Sequence, residues 1–286
     1  GKRLITDGTQ AESTSSVGTT AFNPDGFSLN NWSGTNTNTD SHIAWSWDMG
    51  GSNASNTNGS ITSTVRANAS YGQSIVSYTG NGSANQTVGH GLSAIPELVI
   101  IKAREYASGS WTVYHSFSSG NPSSMFLNST GATESGSGGT STTSVIGIQT
   151  GTATGGDSTN RNNEGHIAYC FHSVTGYSKF GSYTGNGSTD GSLSVTVGFK
   201  PAFVMTKKTN GVAGWVMVDN TRNPTNPVNK YHYSNTSDTE ASGSLFNFTD
   251  TGFSILTNLA GVNTSGGTYI YMAFADTREY AYWLDQ

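Results

Sequence analysis

Ser77-Tyr78-Thr79-Gly80-Asn81-Gly82-Ser83 recurs as Ser182-Tyr183-Thr184-Gly185-Asn186-Gly187-Ser188, 105 residues further along the chain. The segments downstream of each copy recur in the same order. Pro96-Glu97-Leu98-Val99-Ile100-Ile101-Lys102 is matched by Pro201-Ala202-Phe203-Val204-Met205-Thr206-Lys207. Trp111-Thr112-Val113-Tyr114 is matched by Trp215-Val216-Met217-Val218, and Asn121-Pro122 by Asn223-Pro224. The later part of the unit occurs three times. An acidic turn stands at Glu12-Ser13, Glu134-Ser135 and Glu240-Ala241-Ser242. A strand start stands at Asp25-Gly26-Phe27-Ser28, more loosely at Gly147-Ile148, and at Thr251-Gly252-Phe253-Ser254. A closing strand is read at Ile43-Ala44-Trp45-Ser46-Trp47, Ile167-Ala168-Tyr169-Cys170-Phe171 and Ile270-Tyr271-Met272-Ala273-Phe274.

Self-similarity at a fixed period marks units that bury their apolar faces against one another. The chain divides into the second half of a unit (1–50), a linker with a connecting strand (51–72), and repeat units of about 105 residues at 73–176 and 177–286. A half unit cannot bury its sheet face alone. Its first half is expected upstream in a longer polypeptide, or else from another part of an assembly. The start, Gly1-Lys2-Arg3-Leu4-Ile5-Thr6, has neither Met nor a signal-peptide apolar region, so the chain reads as processed or as a fragment.

The apolar runs have the period of strands. In Ile43–Trp47 the large residues share one face and Ala44 and Ser46 the other, as in a strand covered on both sides. Leu98–Ile101 and Phe203–Met205 are short continuous runs behind a proline, which a strand tolerates at its start. Asn-Gly in each repeated turn is a strong hairpin or turn signal. Gly50–Asn58 reads as a polar spacer, and 131–143 and 151–163 as loose polar insertions. No amphipathic helix emerges. The expected fold is all-β: tandem lectin-like sandwiches of the concanavalin or jelly-roll kind.

Charged residues make up only 11% of the 286, yet aromatics also reach 11%, which sets the chain apart from charge-rich, aromatic-poor disordered sequences. The net charge of −5 and the isolated Lys and Arg residues offer no phosphate-tracking patch, so nucleic acid is not an expected partner. No apolar stretch approaches the roughly 18 residues that span a bilayer, so no membrane insertion is expected. The one cysteine, Cys170, allows no intrachain disulfide and sits in an alternating apolar run, where it reads as a packed small residue rather than a catalytic thiol.

Glu12, Glu134 and Glu240 hold equivalent positions. Turn residues recur in every repeat and catalytic residues rarely do, so these carboxylates read as structural. HExxH, EF-hand, P-loop, dinucleotide-binding and nucleophile-elbow patterns are all missing from the sequence. The only cofactor left open is structural calcium, with Asp25, Asp40 and Asp190 as candidate ligands. Trp111 and Trp215 recur and read as core. Trp32, Tyr282 and Trp283 do not recur and are candidates for a contact surface. His115 and Asp219 follow the repeat tryptophan at one spacing and are candidates at a polar loop.

Tyr-Thr-Gly-Asn-Gly, Val88-Gly89-His90-Gly91-Leu92, the proline-led strand ending in Lys, His166-Ile167-Ala168-Tyr169-Cys170-Phe171, Tyr177–Ser182 and Gly266–Phe274 together resemble a repeat family of marine tailed bacteriophages, described as tail-fibre or virion structural proteins. The resemblance covers nearly the whole chain. It implies a lectin-like sandwich with no established catalytic residues, a place on the virion surface or outside the cell, and assembly as a homo-oligomer, a trimer first. The expected function is non-catalytic adhesion to a host surface glycan or protein, alongside contacts to other virion proteins. Structural capsid decoration is the alternative, and a glycan-active enzyme the third reading.

Overall fold

The computed structural model describes residues 1–115, 122–134, 138–149 and 159–276, and the chain is all-β. The first fifty residues hold β1 (Lys2–Arg3), β2 (Ser13–Thr14), β3 (Thr19–Asn23), β4 (Gly26–Leu29) and a four-residue helix, α1 (Ser33–Asn36). β1 pairs with β2 and β3 with β4. The linking segment carries β5 (Ala54–Asn56) and β6 (Ser63–Asn68), and the first complete unit carries β7 (Gln73–Thr79), β8 (Gln86–Gly89), β9 (Leu98–Ala103), β10 (Thr112–His115), β11 (Ser123–Phe126), β12 (Val145–Ile148) and β13 (Gly165–Phe171). The second carries β14 (Ser178–Thr184), β15 (Leu193–Thr196), β16 (Pro201–Lys208), β17 (Val216–Asp219), β18 (Val228–Tyr233), β19 (Ala241–Thr249), β20 (Gly252–Ile255) and β21 (Thr268–Ala275).

The strand orders show the internal repeat. The large sheet of the first unit runs β11-β10-β9-β13-β7-β6-β5, with β12-β8 as a separate pair. The second runs β14-β21-β16-β17-β18-β19-β20-β15. The arrangement β7-β13-β9-β10-β11 thus recurs as β14-β21-β16-β17-β18, and β8-β12 as β15-β20. In the second unit β19 pairs with both β18 and β20, which links the two layers and curls the sheet nearly into a barrel.

Alternation along each central strand feeds two interiors. On β9, Val99 and Ile101 face the small sheet of their own unit, while Leu98 and Ile100 face outward; on β16, Val204 faces inward and Phe203 and Met205 outward. The outward faces meet in one shared apolar interior. It contains Trp111, Tyr169 and Phe171 from the first unit, Trp215, Met272 and Phe274 from the second, and Trp45, Trp47 and Met49 from the N-terminal half unit. Trp45, Tyr169 and Met272, equivalent in the repeat, therefore converge on the same core.

Polar contacts join the copies in one pattern. The Trp111 indole donates to Ile5 O (2.8 Å), and the Trp215 indole to Phe126 O (2.9 Å). The buried Lys102 ammonium donates to Thr9 O (3.0 Å) and Gly109 O (2.7 Å). The equally buried Lys207 ammonium donates to Thr130 O (3.1 Å), Gly131 O (2.7 Å) and Ala213 O (2.9 Å). Glu12 N–H donates to Arg104 O and Thr133 N–H to Thr209 O. Each copy thus reaches back, with one indole and one ammonium, into the carbonyls of the copy before it. Burial pushes the Lys207 pKa down to about 8, and the carbonyl cage supplies what water would have given the charge.

Three expectations are corrected. Ile43–Trp47 lies in no ladder, because the strands that flank its counterparts β13 and β21 have no counterpart within 1–50. Part of the 50–58 spacer is strand: β5 pairs with β6 at the sheet edge. The Asn-Gly turns join no hairpin. β7 pairs with β6 and β13, and β8 with β12, so the chain crosses there between layers. A buried asparagine with no mark in the repeat pattern holds each crossing. Asn160 Oδ1 accepts from Asn81 N–H and its amide donates to Asn81 Oδ1 and Ser83 O; Asn263 repeats these contacts with Asn186 and Ser188. Of the insertions, 135–137 and 151–158 lie outside the described residues.

If the interior is shared, Trp215→Ala should cost about 3–5 kcal/mol in chemical denaturation, with both units unfolding in one transition. A loss under about 1 kcal/mol, or two separate transitions, would contradict it.

Candidate ligand-binding site

The loop from β17 to β18 is built by side chains that bind backbone. At its root Asp219 is buried; its Oδ1 accepts from Thr221 N–H (3.1 Å) and Arg222 N–H (2.9 Å), and Oδ2 pairs with Arg222 Nε (2.7 Å). Arg222 also reaches Glu240 (3.1 Å) and His232 Nδ1 (2.6 Å). Asn223 Oδ1 accepts from Asn229 N–H (3.1 Å) and Lys230 N–H (2.8 Å), and its amide donates to Asn229 Oδ1 (2.8 Å). Asn226 clasps Phe248 on both sides, its amide donating to Phe248 O (2.8 Å) and its Oδ1 accepting from Phe248 N–H (2.8 Å). Asn and Asp favour such turns because their short side chains bond nearby backbone.

The loop so fixed borders a cavity of about 280 Å³ lined by Lys200, Asn220, Asn223, Pro224, Thr225, Asn226 and Asp276, with Val228 and Phe248 on its apolar side. Amides, a hydroxyl, an ammonium and a carboxylate thus line a mostly polar pocket in a loop held on strands, with the buried Val228 and Phe248 beneath it. Donors and acceptors in this mix suit a neutral, hydroxyl-rich ligand. The corresponding loop of the first unit, 116–121, lies outside the described residues.

Among the sequence candidates, Asp219 stands at the root of this loop and shapes it from below. His115 is its counterpart: it pairs with Leu98 across the ladder as Asp219 pairs with Phe203, and it is buried, its Nε2 3.3 Å from Thr133 Oγ1. Neither presents its side chain to solvent. Trp32 is half-buried under the Arg3 guanidinium, 4.1 Å from the ring centroid, at the start of α1. Tyr282 and Trp283 lie outside the described residues. Asp25 is exposed in the β3–β4 turn and Asp40 in the segment after α1. Asp190 is exposed too, its carboxylate held down to a pKa of about 2 by hydrogen bonds from Ser188 and Ser192. No cluster of three or more His, Cys, Asp or Glu occurs among the described residues. Cys170 is buried in β13 with its thiol pushed up to about 12 by burial. Glu12 is held below the usual carboxylate range by Arg104 and then Lys2, and Glu240 by Lys230 and then Arg222. Lys200 and Asn226 carry no signal in the sequence that would single them out. Asn223-Pro224 is visible as a repeat mark, but nothing in it separates a turn from the wall of a cavity.

A family model described as a domain of unknown function, DUF7483, matches residues 1–278. The chain belongs to the DUF7483 family. No curated protein and no solved structure matches it. The DUF7483 match takes in every strand from β1 to β21.

Burial pushes down the pKa values of His90, His115 and His232, that of His115 to about 4. The His115 imidazole stays neutral in the fold but takes up a proton in the unfolded chain near pH 6.5. The His115 contribution is therefore complete above about pH 6.5 and is lost as pH falls toward 4, at up to about 1.4 kcal/mol per pH unit. Urea denaturation at pH 7 and pH 5 should show this loss, and His115→Gln should flatten the slope.

Proposed function

We propose that this DUF7483 chain is a non-catalytic adhesive component of a virion surface, a fibre or appendage whose β17–β18 pocket takes a carbohydrate of the host surface. The pocket's composition carries this reading. Sugar hydroxyls need closely spaced donors and acceptors, here from Lys200, Asn220, Thr225 and Asp276. Val228 and Phe248 lie beneath the pocket as buried core residues, so contacts to hydroxyls rather than ring stacking carry the recognition. A rigid β scaffold with recognition on its loops fits the same role. The low-charge sequence and the repeat resemblance support the virion setting and the lectin-like assignment of the sandwiches. Glycoside hydrolysis uses a pair of carboxylates, and Asp276 is the one carboxylate among the described pocket residues, which favours binding over cleavage.

Structural decoration of a virion is the second reading, favoured by how many aromatic side chains serve contacts between copies. A glycan array and a host-cell binding assay separate the two. Lys200 and Thr225 are exposed, so Lys200→Ala with Thr225→Ala should leave the melting temperature unchanged and weaken glycan binding at least ten-fold. Unchanged binding would remove the pocket from the reading. Binding to no glycan and no cell would remove adhesion itself.

A further inference from the structure

The hairpin β3–β4 is a copy of β19–β20, in the same register from the turn as far as Ala21 and Ser28. Phe22 faces Phe27 as Phe248 faces Phe253, and Asn23 faces Gly26 as Thr249 faces Gly252. Leu29 takes the place of Ile255. In the second unit these side chains are core: Phe248 is 4% exposed, Phe253 1% and Ile255 0%. In the half unit, Phe22 is 89% exposed, Phe27 38% and Leu29 38%. An apolar cluster of this kind on open strands marks an interaction surface.

The complete unit shows what covers the face. Tyr183 of β14 and Tyr271 of β21 meet Phe253 edge-on, at 6.4 and 5.8 Å between ring centroids, and Val195 of β15 and Val204 of β16 fill the same core. Three of those strands belong to the first half of a unit, which has no counterpart in residues 1–50.

A second open surface borders the same gap. The carbonyl strips Ile5–Thr9 and Phe126–Gly131 each receive an indole and an ammonium from the next copy. The third strip begins at Tyr233, since Asn235 Oδ1 accepts from Trp215 N–H as Asn128 Oδ1 does from Trp111 N–H, and its residues 237–239 are exposed. Trp45 of the half unit lies beside that strip. It packs edge-on against Phe203, 5.4 Å between ring centroids, and stands 5.7 Å from the Arg222 guanidinium, which in turn binds His232 and Glu240 on either side of the strip.

The geometry points to a third unit, completed on this face by a segment carrying the strands of a unit's first half, of the kind seen in 177–228. Those strands fill the face of β3–β4, and their tryptophan and lysine enter the carbonyls that follow Tyr233. Three whole copies then surround the shared interior, with every contact between copies made once more.

The test appends a copy of residues 177–228 directly before Gly1 of the full chain and follows amide hydrogen exchange. Residues 21–29 should become protected at least ten-fold, together with the appended strands. Phe22→Asp should lower the melting temperature of the extended chain by several degrees and leave that of the 286-residue chain unchanged. An appended segment that stays unprotected, or one that folds without shielding 21–29, overturns the inference. So does a 286-residue chain that already dimerises in sedimentation and loses the dimer on Phe22→Asp, because a second copy would then be the occupant.

Discussion

A β-sheet with large apolar side chains on both faces must be covered twice, and that requirement organises this molecule. On β9, β13, β16 and β21 one face meets the small layer of its own unit and the other meets the neighbouring copy. Neither complete unit can turn its outer face to water without exposing Trp111 or Trp215, Phe171 or Phe274. Apolar burial is non-directional, so it brings the copies together without fixing their alignment. Alignment comes from the indole and ammonium contacts, which are directional and would leave buried donors unsatisfied if displaced.

The same logic explains how so weakly charged a chain holds a defined structure. Its buried polar groups bind mainly to backbone. Lys102 and Lys207 are caged by carbonyls, Asn160 and Asn263 clamp the crossings between layers, and Tyr78 and Tyr183 donate to Thr159 O and Val262 O. Backbone carbonyls exist at every residue, so these devices survive substitution of the side chains around them. That is why they can recur in copies as different as Leu98-Val99-Ile100-Ile101 and Phe203-Val204-Met205-Thr206. It also frees the surface loops to diverge. His115 and Asp219 occupy one position, and Asp219 organises a clasped, cavity-bearing loop through Arg222.

The all-β class and the burial of Trp111 and Trp215 were legible in the residues alone. Each is written locally, in a two-residue period or in the recurrence of a short motif, and local signals survive without knowledge of partners. Three outcomes needed the folded chain: which strands pair across the layers, that the Asn-Gly turns carry the chain between sheets, and that Ile43–Trp47 stays out of any ladder despite its alternation. Those outcomes depend on which neighbour is present, and Trp45 has the pattern of a strand but no strand beside it. The candidate site was legible only at its edge. Asp219 and Asn223-Pro224 stood out, but Lys200, Asn226, Phe248 and Asp276 come from distant positions. A cavity is made where segments meet, and no single segment encodes that meeting.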